Sequence, residues 1–517
     1  MTEHYLDRLA RTINENWDAP ALTDFYLTED GTAQDTSRGK HYTYGEMYLE
    51  ILRLGKLFKQ LGLQKGDHIA ICGANSAHWA IAYLAIAAYQ GVVVTVLHTQ
   101  LPEDIARQVA FSDAKALFTD EDLWRELKVQ SMPQIEQVIS LDCWQILQGE
   151  EVHISNYELM GCQYEACFDH GNLDDLAVIC FTSGTTGVSK GVMLSNNNIS
   201  TNVSVLLREF IERPLSHSIA FLPMSHAGVF VSYIIILCRG AKLHVLSSAG
   251  HQELFSIYSL VKPQEVVMVP MMLQKLIESL DYNDDYQMLS TRIKQLFGDG
   301  FDSFFLGGAK ISLELENILK ASNLNYAIGY GTTECAPFIS IEMPSYIKQG
   351  TVGKVVSSLC CQIAPNGEIL VKGDNVMLGY YKNPEATAQK IDAEGWLHTG
   401  DRGYLDEDGY LYVEGRLEQD MIVLPNGENI HPDNIESKIN ALPEVAESIV
   451  VAREGKLVAI VVVSGELSAD SRTALRLSIL RSVNAQLPMY AQLYDIEWSA
   501  SPLARTVKQT LKRHLYK

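Results

Sequence analysis

Cysteine is scarce in this chain, and its arrangement excludes two classes of protein. Nine cysteines are spread over 517 residues, none of them in a C-x-x-C pair. The close pairs, Cys162/Cys167 and Cys360/Cys361, have no histidine at metal-ligand spacing. A disulfide framework and a zinc site are therefore not expected, and the chain reads as reduced, with buried thiols. Positive charge is also in deficit. Against 63 Asp and Glu stand 41 Lys and Arg, a formal net charge of −22, with a pI near 5.1. Phosphate-rich partners would be repelled, which argues against a general nucleic-acid or anionic-membrane binder. No basic stretch followed by an apolar run opens the sequence, so no secretory signal is read there. Long apolar runs are missing too. The longest, residues 79–97, is split by Gln90-Gly91 into an alanine-rich half and a β-branched half. That predicts a buried helix leading into a buried strand and no transmembrane segment. A cytoplasmic protein is expected.

What is present is ordinary globular material: 47% hydrophobic and 20% charged residues, enough for a large core without cross-links. At about 150 residues per domain, the length suggests roughly three folding units. Short apolar runs at 68–72, 92–97, 137–141, 176–181, 219–222, 242–246, 266–269 and 304–306 alternate with helical patterns such as 43–61 and 272–280. This alternation predicts parallel sheets with crossover helices, and more than one sheet. After about Tyr346 the runs shorten (368–371, 396–399, 410–413), each preceded by a turn ending in glycine: Pro365-Asn366-Gly367, Ala393-Glu394-Gly395 and Asp406-Glu407-Asp408-Gly409. Antiparallel β structure is expected there. From about Arg416 a last α+β unit is expected, with a hairpin over 447–463. Its tail, 505–517, has five Lys or Arg and no acid, which on composition alone reads as a solvated terminal helix.

The strongest chemical signal is Phe181-Thr182-Ser183-Gly184-Thr185-Thr186-Gly187-Val188-Ser189-Lys190-Gly191. Its glycines allow tight turns that present backbone N–H groups to an anion, its hydroxyls add donors, and Lys190 adds a point charge. This is the chemistry of a phosphate cradle. The G-x-x-x-x-G-K-[ST] pattern of P-loop kinases fails here, because Gly184 and Gly187 are too close and Lys190 precedes Gly191. The segment Gly187-Val188-Ser189-Lys190-Gly191 fits a G-x-S-x-G nucleophile elbow, so an α/β-hydrolase using Ser189 is a competing reading. Against it, residues 182–186 separate the serine from its strand, and the hydroxyl-rich run would be unexplained.

With further motifs in order, the chain resembles the acyl-adenylate-forming superfamily of acyl-CoA synthetases, adenylation domains and luciferases. These are Leu222-Pro223-Met224-Ser225-His226, Gly307-Gly308-Ala309, Gly329-Tyr330-Gly331-Thr332-Thr333-Glu334, Gly395-Trp396-Leu397-His398-Thr399-Gly400-Asp401, Glu414-Gly415-Arg416, and Asn426-Gly427-Glu428-Asn429-Ile430 with Pro432 and Ile435-Glu436. The resemblance implies an α/β fold: a large N-terminal domain of stacked α/β sheets with a β-rich subdomain (1–415), and a small mobile α+β C-terminal domain (416–517). It implies ATP, Mg²⁺ and CoA as cofactors or substrates. Thr182, Ser183, Gly184, Thr185, Thr186, Gly187 and Lys190 would hold the β- and γ-phosphates. Gly308 would lie on the adenine side, Tyr330 would stack on adenine, Gly331 and Thr332 would join the nucleotide-binding set, Thr333 would meet the α-phosphate, and Glu334 would hold Mg²⁺. Asp401 would bind both ribose hydroxyls, and Arg416 would add a second ribose or phosphate contact. Lys508, Thr186 and His226 are the implied catalytic residues. Taken alone, His226 reads as a core histidine, Tyr330 as packing and Asp401 as a turn or helix cap. The apolar segment 229–237 reads mostly as core.

Two features depart from the family pattern. The tail lacks Thr-x-x-Gly-Lys. Thr506-Val507-Lys508 fits an alternative Thr-x-Lys spacing, which makes Lys508 the expected family lysine and Lys512 the reserve. The hinge reads Arg416-Leu417-Glu418-Gln419-Asp420, with one residue more than the usual Arg-x-Lys-Asp. The expected activity is an ATP-dependent, AMP-forming acid–thiol ligase for an apolar carboxylic acid, a fatty acid first and an aryl acid second. The alternatives are an acyl-AMP ligase loading a carrier protein, the Ser189 hydrolase, and an adenylate-binding protein without turnover.

Overall fold

The computed structural model describes residues 2–27, 33–34, 40–150, 165–182, 190–210, 215–247, 251–283, 285–417, 422–423, 429–430, 432–453, 456–465, 468–487, 491–505 and 511–516. Its short, largely apolar runs are strands buried on both faces, as Val92–Thr95, Ala116–Thr119 and Glu265–Met268 are throughout. Such runs suit parallel sheets covered by helices on either side.

Two large sheets result. The first has eight strands in the order Gly379–Tyr380, Lys190–Ser195, Leu176–Thr182, Val92–Thr95, His68–Cys72, Ala116–Thr119, Gln137–Ser140 and Ile146–Gln148. Its five central strands run parallel, and Lys190–Ser195 returns antiparallel with Lys190 opposite Thr182. The second has ten strands. Its parallel centre runs Pro20–Leu27, Lys242–Leu246, His217–Ala220, Glu265–Met268, Ser303–Gly307 and Tyr326–Gly331, and Phe338–Glu342 folds back beside the last of these. Further on, Leu359–Ile363, Glu368–Gly373, Leu397–Leu405 and Leu411–Arg416 form a four-stranded sheet in that order.

Local chemistry starts and stops the helices. Tyr44–Gln60 opens on a capping box: the Glu46 amide donates to Thr43 Oγ1 at 3.1 Å, and the Thr43 amide donates to Glu46 Oε2 at 2.8 Å. Asn196–Glu209 opens on the same device built from Ser195 and Asn198. Ala77–Ala88 and Ala227–Cys238 carry no charged side chain and are buried nearly all round, as core helices must be. The run at 79–97 is indeed a helix followed by a strand. No helix of the described residues is long and apolar enough to cross a membrane.

The chain divides into two compact units. One comprises Met1–Gln362, Leu370–Thr399 and Leu405–Tyr412; the other comprises Ile363–Ile369, Gly400–Tyr404 and Val413–Lys517. Within the second, Val445–Arg453 and Lys456–Val463 form the expected hairpin, and Leu493–Trp498 adds a parallel strand. Helices Pro432–Asn440 and Ala469–Asn484 contribute Ile435, Ile439, Ile479 and Val483 to its core. The mixed α/β class with a small α+β C-terminal part is borne out.

Three sequence expectations need correction. The strand expected at 219–222 is His217–Ala220, because the Leu222 carbonyl accepts from Asn75 Nδ2 at 2.9 Å and leaves the ladder. Of the eight described cysteines, all free, Cys143, Cys167 and Cys360 are exposed, so the thiols are not uniformly buried. The basic tail is not a solvated helix in its described residues. Arg505 bridges to Leu511, and a short 3-10 turn covers Arg513–Leu515. Arg513 is only 6% exposed and pairs with Glu436 and Asp433 while donating to the Val450 carbonyl at 2.9 Å. Composition showed the charge but not the buried acid that receives it.

Candidate active site

In open α/β sheets, ligands gather where loops leave the carboxyl ends of the parallel strands. Several sequence motifs leave such ends here. Gly308 follows Ser303–Gly307, and Gly307 stands opposite Gly329 in the next strand. Tyr330 and Gly331 end that next strand, Tyr326–Gly331, and Thr332, Thr333 and Glu334 continue from it into a 3-10 turn. Gly331 is required for steric reasons: a Cβ there would lie 1.8 Å from the Pro337 carbonyl oxygen. His226 caps the amino end of Ala227–Cys238 and is half-buried. Its loop is held by Asn75, which accepts from the Met224 amide at 2.9 Å, and by the Cys180 thiol, which donates to the Ser225 carbonyl at 3.5 Å. Every residue of that helix except Gly228 is buried, which supports the core reading for 229–237.

Glu334 is half-buried and has well-defined partners. Tyr380 donates to its Oε1 at 2.7 Å, and the Thr332 hydroxyl donates to its Oε2. Burial pushes its carboxyl up, but the Lys390 ammonium and the hydrogen bonds from Thr332 and Tyr380 outweigh burial and hold it below the usual carboxylate range. Lys390 ends the helix Pro384–Lys390 and donates to the Thr399 carbonyl at 3.0 Å. Lys190 lies over the Tyr380 ring, 5.1 Å from its centroid. The structure thus brings Lys190, Thr332 and Glu334 together around Tyr380. An ionised carboxylate in a polar, partly open position fits a hard cation, and Mg²⁺ typically takes one or two carboxylates and completes its shell with phosphates and water.

Asp401 and Arg416 are also brought together. Asp401 is 7% exposed, and Arg416 Nε lies 3.0 Å from its Oδ1. Ser183, Gly184, Thr185, Thr186, Gly187, Ser189 and Lys508 lie outside the described residues, as do the hinge positions 418–420. The strands flanking 183–189 bear on the hydrolase alternative. An elbow needs a helix directly after its serine. Here Lys190–Ser195 is a strand, and the helix begins only at Asn196. The Ser189 reading is therefore overturned.

Some residues of this region escaped sequence reasoning. Tyr380 and Lys390 did, and so did a buried asparagine set beneath the Glu334 turn. Asn202 Nδ2 donates to the Cys335 carbonyl at 3.1 Å, and Asn202 Oδ1 accepts from the Phe338 amide at 3.2 Å and from Asn375 Nδ2 at 3.1 Å. Asn198 Nδ2 donates to the carbonyls of Asp374 and Val376. The available signal was asparagine at 198 and 202, four apart on one helix face, where such residues disfavour helix without a buried partner.

The AMP-binding enzyme family model matches residues 9–381, and the model of the AMP-binding enzyme C-terminal domain matches residues 419–517. This chain belongs to the AMP-binding enzyme family. The acyl-adenylate-forming superfamily that the motifs resembled is thereby established. Among curated relatives, this AMP-binding enzyme is 28% identical over 444 residues to a 4-coumarate–CoA ligase of Narcissus pseudonarcissus, covering 81% of this chain and 78% of that one. It is 26% identical over 434 residues to a long-chain-fatty-acid–CoA ligase of Mycobacterium bovis, covering 76% and 72%. Among solved structures, ATP-bound MatB from Rhodopseudomonas palustris matches with a TM-score of 0.79 at 22% identity, covering 99% of this chain and 98% of that one. O-succinylbenzoate coenzyme A synthetase from Bacillus subtilis, in complex with ATP and a magnesium ion, matches at 0.77 and 23%, covering 98% of each. At these identities the structures speak for the fold of the AMP-binding enzyme alone.

Proposed function

We propose that this AMP-binding enzyme is an ATP-dependent, AMP-forming CoA ligase acting on an apolar monocarboxylic acid, aryl or fatty. The acid's carboxylate attacks the α-phosphorus of ATP, the bond to pyrophosphate breaks, and an acyl-adenylate forms. The thiol of CoA then attacks the acyl carbon and AMP leaves with the bonding electron pair. The first step brings two anions together, so this chain's task is to position them and to place positive charge where negative charge gathers. The observation that carries this reading is the Lys190–Tyr380–Glu334 constellation at the end of the GYGTTE strand. Lys190 and residues 182–187 would take the β- and γ-phosphates, Thr333 the α-phosphate, and Asp401 with Arg416 the ribose. Glu334 would hold Mg²⁺, which when bound neutralises charge on the phosphate oxygens.

In this reading residues 1–415 bind the acid and most of the nucleotide, and residues 416–517 supply Arg416 and Lys508. The apolar acid class is supported by the curated 4-coumarate and long-chain-fatty-acid ligases. The test is a panel of aryl and fatty acids assayed for ATP-dependent pyrophosphate release, with and without CoA. Release with a subset of the acids, and thioester formed on CoA, is the expected result. Adenylate without thioester on CoA would favour a carrier-protein acceptor. Failure to retain any adenine nucleotide would refute the proposal. Lys508→Ala should abolish adenylation and Lys512→Ala should spare it; the reverse outcome reassigns the lysine.

A further inference from the structure

The lysine and the carboxylate just assigned to phosphate and metal sit on different elements, and one side chain touches both. Tyr380 is 5% exposed. Its hydroxyl donates to Glu334 Oε1 at 2.7 Å, and the Lys190 Nζ stands 5.1 Å from its ring centroid. The backbone explains how. Gly379–Tyr380 pairs antiparallel with Lys190–Ser195, with Tyr380 opposite Val192. Side chains two apart on a strand share a face, so Lys190 is the diagonal neighbour of Tyr380. The Met377 amide donates to the Glu334 carbonyl at 2.9 Å, tying the approach to this strand to the backbone of the carboxylate itself. The Tyr380 amide donates to Thr387 Oγ1 at 2.9 Å. Gly379, at φ +139°, permits this close approach, because a Cβ there would lie 2.8 Å from Thr387 Cγ2.

We infer that Tyr380 is a positioning residue that serves both the triphosphate lysine and the metal-holding carboxylate: its hydroxyl fixes Glu334 and its ring seats the Lys190 ammonium. The inference rests on the functional reading above. The geometry divides the two tasks between two parts of one side chain. The hydroxyl occupies one lone pair of Glu334 Oε1 and leaves others for a cation or its water. The ring offers Lys190 a cation–π contact that does not consume its hydrogen-bond donors, which remain for phosphate oxygens. A carboxylate that can rotate serves poorly for Mg²⁺, which demands near-octahedral geometry.

The experiment measures binding of the non-cleavable analogue α,β-methylene-ATP to the full chain by calorimetry, at increasing free Mg²⁺ and with no acid present. Tyr380→Phe keeps the ring and removes the hydroxyl. It should bind the analogue without Mg²⁺ within about twofold of wild type, while the tightening produced by Mg²⁺ falls about tenfold, the effect of losing one hydrogen bond to a charged group. Lys190→Met should do the opposite, weakening Mg²⁺-free binding and leaving the Mg²⁺ enhancement within about twofold. Wild-type Mg²⁺ enhancement in Tyr380→Phe overturns the inference, as does an equal loss of both quantities in Lys190→Met. If the wild-type chain binds no analogue at all, the functional reading fails instead.

Discussion

Replacing Asn202 with leucine tests whether the Glu334 turn is held from below. The two side chains have nearly the same shape, so no cavity confounds the result. Asn202 and Asn375 are both fully buried. Besides its bond to the Asn198 carbonyl within its own helix, Asn202 serves the Cys335 carbonyl, the Phe338 amide and Asn375 Nδ2. Asn375 Nδ2 keeps the Phe338 carbonyl at 3.0 Å, so it is only partly stranded. The other two lose the Asn202 bond outright. The Phe338 amide stripped of that partner costs about 1–3 kcal/mol and the bond lost by the Cys335 carbonyl about 1 kcal/mol more, so about 3 kcal/mol is a fair central value. At the usual response of about 2 °C per kcal/mol for larger domains, the melting temperature should fall by roughly 6 °C. Differential scanning fluorimetry reads the shift. Asn202→Leu combined with Asn375→Leu should cost less than the sum of the single changes, because the two share a bond. A shift under about 2 °C, or strict additivity in the double variant, would refute the reasoning.

Other outcomes follow from the same geometry. Gly331→Ala must displace the Pro337 carbonyl, whose oxygen lies 1.8 Å from the added Cβ, so pyrophosphate release should drop to background even where the protein still folds by circular dichroism. Arg513→Met leaves the buried Glu436 unpaired and should cost about 3–5 kcal/mol. Hydrogen exchange should then accelerate in Pro432–Asn440 and Val445–Arg453 and recover in part when Glu436→Gln is added. Glu342 is fully buried, and burial pushes its carboxyl up to about 7. A carboxyl raised in the native state binds its proton more tightly there than in the unfolded chain, so its contribution to stability falls as pH rises from about 4.5 to about 7. Glu342→Gln should therefore be more stable than wild type above pH 7, by up to about 3 kcal/mol, with the difference vanishing below about pH 4.5. Urea denaturation at pH 4.5 and pH 8 decides this, and an equal effect at both would sink it.

Much of the fold was legible because burial on both faces leaves a short, largely apolar run, as at His68–Cys72 and Lys242–Leu246, both read to the residue. The run at 79–97 resolved into helix and strand at Gln90-Gly91 for the same local reason. Gly331 and Glu334 were legible through the resemblance of Gly329–Glu334 to a family motif, and the structure adds why Gly331 must be glycine: a Cβ there would lie 1.8 Å from the Pro337 carbonyl oxygen.

The remainder belongs to tertiary structure. Nothing near Tyr380 in the chain announces Glu334, because a short edge strand brings them together across the fold. The tail looked solvated because its charges were read without Glu436, which is distant in sequence and buried beside Arg513. Local residue pattern set which backbone conformations and which chemistries were available: strands that must be covered, a glycine-rich anion loop, a carboxylate at a turn. Which charges meet was settled by the folding of distant segments onto one another. Electrostatic and hydrogen-bond energies depend on separation and burial in space, and a linear order of residues specifies neither.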